Sequence, residues 1–178
     1  MKKIVTIFLI FFILIGCDNF NNSPIKRVEE FLNKYQLLDE KLIKELDYSI
    51  ESNELNEDEK NLYREIMKKQ YRDLTYVIKD EEIDGDNATV KVEIEVYDYN
   101  KSISEASDYF ITYQNEFLDE EGNIIKSKYI DYKLKLMKEN DSRIKYTLTL
   151  SLSKKGDKWI LDDISDADRE KIHGIYSY

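Results

Sequence analysis

Apolar positions recur every three or four residues in the first part of the chain and at alternate residues in much of the rest. Ile25, Val28, Phe31, Leu32 and Tyr35 share one helical face. Ser23-Pro24 supplies an N-cap followed by proline at the first helical position. Leu42, Ile43, Leu46 and Ile50 mark a second helix behind an Asp39 cap. Asn56 and Glu59 have capping-box spacing for a third helix, with Leu62, Tyr63, Ile66 and Met67 inward.

The period then falls to two. Leu74, Tyr76 and Ile78 alternate with Thr75, Val77 and Lys79. Beyond Asp84-Gly85, Val90, Val92, Ile94 and Val96 alternate with Lys91, Glu93 and Glu95, so the two segments predict a hairpin. Ser102 and Glu105 read as another capping box, opening a helix over 103–117. Residues 127–139 fit both periods, and their Leu, Lys, Met and Glu content favours helix. Ile144, Tyr146, Leu148, Leu150 and Leu152 give the clearest strand, followed by a turn at Lys155-Gly156-Asp157 and a short strand over 158–161. Ser165 caps a final helix that Gly174 ends. With no repeat and no Pro-rich linker, residues 24–178 predict a single α+β domain, with N-terminal helices packed on a curved antiparallel sheet.

The extreme N-terminus follows neither pattern. Met1-Lys2-Lys3 is positive, and residues 4–15 are apolar except for Thr6. Twelve residues suit the apolar region of a signal peptide and are short for a membrane-spanning helix. Leu14-Ile15-Gly16-Cys17 resembles the lipobox of bacterial lipoproteins, and Cys17 is the one cysteine in the chain. That resemblance implies a diacylglycerol thioether on Cys17, cleavage after residue 16, and a polar tether over 17–23. It also implies attachment to the outward face of the cytoplasmic membrane. Cleavage removes Lys2 and Lys3, leaving 162 residues with 25 basic and 37 acidic side chains, a net charge of −12. Such a domain is repelled by an anionic bilayer surface and stands off it. The acidic balance also excludes the basic patch of a nucleic-acid binder.

The order of helices and hairpins, closing on Lys-Lys-Gly-Asp-Lys-Trp-Ile-Leu over 154–161, resembles the cystatin-like cone of the nuclear-transport-factor-2-like superfamily. The resemblance implies a sheet curved around a helix, with a cavity in some members. Members of the superfamily bind small apolar ligands, catalyse isomerisations or hydrations, or serve as protein-interaction modules.

Few residues offer chemistry. No Gly-rich phosphate loop, CxxC pair, HExxH or GxSxG occurs, and no cofactor or metal is expected. His173, the single histidine, reads as a helix-end residue stabilised by the dipole rather than a general base. Asp98, between Tyr97 and Tyr99, is the nearest candidate base and reads as a solvated strand end. The acidic stretches 80–87 and 119–123 lack the EF-hand ladder and read as solvated turns. Tyr35, Tyr97, Tyr146 and Trp159 either line a cavity, as ligand contacts, or fill the core. The favoured expectation is a non-enzymatic binding module for a small molecule or peptide. The alternatives are a module docking an envelope partner through an apolar sheet face and, last, an isomerase-like enzyme.

Overall fold

A computed structural model describes residues 22–52 and 54–177. The elements run α1 (Pro24–Gln36), α2 (Glu40–Glu51), α3 (Glu57–Arg72), β1 (Thr75–Asp84), β2 (Asn87–Tyr97), α4 (Tyr99–Thr112), a 3-10 turn (Gln114–Phe117), α5 (Lys126–Glu139), β3 (Arg143–Lys155), β4 (Lys158–Leu161) and α6 (Asp166–His173). The four strands form an antiparallel meander in the order β1-β2-β3-β4. The fold is α+β, with helices packed on one face of the sheet.

The predicted caps operate. The Ser23 side chain accepts from Lys26 N–H, and the Asp39 side chain accepts from the N–H groups of Lys41 and Leu42. Asn56 and Glu59 form the reciprocal capping box. Alternation in β2 and β3 is matched by register. Val92 pairs with Leu148, Val90 with Leu150 and Ile94 with Tyr146, so both strands send their apolar sets to one face. Val90, Val92, Ile94, Val96 and Leu148 are completely buried there, beneath Val28 and Leu32 of α1.

Three local expectations are corrected. The helix predicted over 103–117 begins at Tyr99 instead, with Asp98 as its cap. Burial of the Tyr99 ring, with its hydroxyl donating to Ile66 O at 3.3 Å, starts the helix directly after β2. Ser102 lies inside that helix and donates to Leu136 O rather than capping. The helix also stops at Thr112, and residues 114–117 form the tighter turn. The acidic stretch from Asp80 is mostly strand, because β1 continues to Asp84 through a bulge between Ile78 and Asp80. The bulge sets Glu81 opposite Val90, and its carboxylate accepts from Ile25 N–H in the first turn of α1 at 3.2 Å. Residues 127–139 are helical; Leu134 and Met137 of α5 pack against Ile66 and Tyr99 in a second, smaller core cluster.

Candidate functional site

Gln70, wholly buried in α3, fixes the C-terminal segment against the end of β2. Its side chain accepts from Tyr97 N–H at 2.9 Å and donates to Tyr97 O at 3.2 Å and Ile172 O at 3.4 Å. Gly174 then ends α6 in the left-handed conformation, φ 71°, where a side chain would be strained. The turn presents His173 and Ile175 to two adjoining clefts in the helical layer.

The first cleft, about 400 Å³, opens between α3, α4, α5 and the C-terminal segment. Leu55, Tyr63, Ile103, Leu134, Met137 and Ile175 form an apolar lining with Ile130. Ile130, Leu134 and Met137 recur along one face of α5, and Lys133 on the same side reaches the rim. An ion pair of 2.7 Å joins Lys126 to Glu54 at this rim. Lys133 has no ion pair among the described residues; its Nζ lies 5.8 Å from the centre of the Tyr129 ring.

The second cleft, about 260 Å³, shares Tyr63 and Ile175 with the first. Tyr35, Leu46, Tyr71, Arg169 and His173 also line it, and Glu45 of α2 stands on its wall. Arg169 and His173 are four residues apart in α6 and so share a face. Tyr35 and Tyr71 pack edge to face with centroids 5.1 Å apart. The Tyr71 hydroxyl lies 3.1 Å from His173 Nε2. Burial pushes Tyr35 up to about 12 and raises Tyr63 and Tyr71 as well. Burial, with the Arg169 charge adding to it, pushes His173 down to about 4. All four rings are therefore uncharged at neutral pH. The Arg169 guanidinium has no hydrogen bond or ion pair among the described residues.

Of the aromatic residues singled out in the sequence, Tyr35, Tyr146 and Trp159 belong to the main core, and Tyr97 packs on the second cluster. Tyr35 alone among them lines these clefts. Tyr97 stacks on Tyr99, lies under the cations of Lys69 and Arg143, and donates to Asp73 at 2.8 Å. Tyr146 packs in the main core and donates to Tyr176 O, and Trp159 is buried at the edge of that core. Asp98 caps α4, accepting from Lys101 N–H at 3.1 Å. His173 ends α6, and its ring is held neutral by burial, with the Arg169 charge adding to the effect. Asp119 accepts from the N–H groups of Glu121 and Asn123, closing its own turn. Cys17 and the segment 1–16 lie outside the described residues.

Sequence reasoning missed Tyr63, Tyr71, Ile130, Lys133 and Arg169 as cleft residues. The spacing on α5 and α6 was legible, but not the meeting of these faces across the fold.

The outward face of the sheet is polar. Glu93 on β2 pairs with Lys79 and Lys145, each at 3.3 Å, beside Thr147 and Thr149. Its exposed large apolar residues, Val77 and Ile160, lie on the two edge strands with β2 and β3 between them. Among the described residues, no helix is long and apolar enough to cross a membrane. No protein-family model, curated protein or solved structure matches the chain.

Proposed function

We propose that this chain is an envelope lipoprotein held to the membrane through Cys17, and that its folded part is a non-enzymatic module binding a small, largely apolar molecule. The observation that carries the binding reading is the first cleft. Its volume of about 400 Å³ falls in the ligand-pocket range, and its lining is mainly apolar, with a few polar groups at the rim. The polar outer sheet face offers less to a docking partner than the apolar patch that role needs.

The test uses the full chain in phosphatidylcholine nanodiscs, titrated with octan-1-ol by calorimetry. Binding is expected in wild type and is expected to disappear in Ile130→Asp and in the cleft-filling Ile130→Trp. Both variants should keep the wild-type circular dichroism spectrum. Equal uptake by wild type and variants would overturn the cleft reading.

The anchor is tested separately. Cells fed radiolabelled palmitate should label the wild-type chain and not Cys17→Ser, which should also retain its leader. A labelled Cys17→Ser chain would place the lipid elsewhere.

A further inference from the structure

The second cleft bears on what the first one takes. Arg169 is a fixed cation on a chain of net charge −10, yet no carboxylate among the described residues pairs with it. Glu45 lines the second cleft with Arg169, and Asp162 and Asp163 line with Arg169 a separate groove beside α1 and α2; none of the three lies within ion-pair distance of it. A planar guanidinium is suited to a two-point contact with a carboxylate or phosphate. The hydroxyls of Tyr35 and Tyr63, on the same walls, also have no hydrogen-bond partner among the described residues. The cleft thus presents one unpaired cation with two free hydroxyl groups, and it adjoins an apolar chamber at Tyr63 and Ile175.

We propose that the ligand is an amphiphile with a single carboxylate, which pairs with Arg169 in the second cleft while the apolar chain passes Tyr63 and Ile175 into the first. This rests on the reading of the first cleft as a ligand site. Charge balance selects a carboxylate over a phosphate monoester. The neighbouring His173 ring is neutral and Glu45, on the same wall, is paired with Lys41 at 3.9 Å, so a dianion would have the single Arg169 charge to balance two of its own.

The experiment compares octanoate, octan-1-ol and octyl phosphate, by calorimetry, on the full chain in phosphatidylcholine nanodiscs. Octanoate should bind wild type about ten-fold more tightly than octan-1-ol and more tightly than octyl phosphate. Arg169→Gln should reduce octanoate to the level of octan-1-ol and leave octan-1-ol unchanged, and Arg169→Lys should restore part of the preference. Because Arg169 is exposed and unpaired, these variants remove no contact on which folding depends.

Octan-1-ol binding sensitive to Ile130→Asp, with octanoate no tighter, would overturn the acid site and leave the cleft reading standing. Loss of the octanoate preference in Lys133→Gln but not in Arg169→Gln would put the acid at the other rim and also overturn it. Tighter octyl phosphate binding through Arg169 would overturn the carboxylate assignment. Failure of octan-1-ol to bind at all would remove the cleft reading and this proposal with it.

Discussion

The layer between α1 and the sheet and the layer between α3 and α5 are built from similar side chains but finished differently. Under α1, apolar residues from β2 and β3 interlock with Val28 and Leu32, and most are fully enclosed. Around α5, Leu134 and Met137 are buried against Ile66 and Tyr99, while Ile130, Ile103 and Tyr63 remain half-covered around an open cleft. Strand register explains part of the difference. Two long strands paired residue by residue present a continuous apolar surface that one amphipathic helix can cover. α5 begins without a side-chain cap and has no acidic residue in its first turn, so its position depends on packing against α3 and α4. Complete burial on one side supplies stability; incomplete burial on the other leaves apolar surface that a ligand can cover.

Truncation tests that contrast most strongly. Leu148→Ala opens a cavity in the enclosed layer and should cost about 3–4 kcal/mol in urea unfolding, whereas Ile130→Ala at the open cleft should cost about 1 kcal/mol or less. Similar losses at both positions would erase the distinction between the layers.

A pH series probes how dry the second cleft is. His173 titrates at about 4 in the folded chain against an ordinary value of 6.5. Below pH 6.5 the unfolded chain takes a proton that the folded chain refuses. The His173 contribution is therefore fully present above that pH and lost as pH falls towards 4, by about 3 kcal/mol. The difference between wild type and His173→Asn removes the carboxylates common to both, and it should shrink across this window. A difference independent of pH would mean that water reaches the ring.

The smallest expected effect lies where the two regions join. Gly174→Ala adds a methyl group that meets the Tyr97 carbonyl at a positive φ, and should lower stability by about 2 kcal/mol. Since Gly174 directs Ile175 to both clefts, the same variant should also weaken octan-1-ol binding, read by calorimetry. Unchanged binding would show that the cleft does not depend on this turn.

Most elements were legible because their signals are local. Side-chain caps at Ser23, Asp39 and Asn56 act within three residues, and the period-two run from Ile144 meets that from Val90 with matching faces. The start of α4 was not legible, since a capping-box spacing at Ser102 competed with burial of Tyr99 against Ile66, a contact 33 residues distant. The bulge in β1 was hidden for a related reason. An acidic run reads as a turn until its pairing with β2 and the contact of Glu81 with α1 are seen.

By itself, then, the sequence determined most element types and the apolar faces of β2 and β3, through spacing between near neighbours. Only the tertiary structure decided that Tyr146 and Trp159 fill the main core while Tyr97 packs on the second cluster, and that His173 is neutral. It alone also brought Tyr63, Arg169 and Ile175, from α3, α6 and the C-terminal segment, to adjoining clefts. Burial and side-chain partnership depend on which faces meet across the fold, and no periodicity within one segment encodes the other side of that contact.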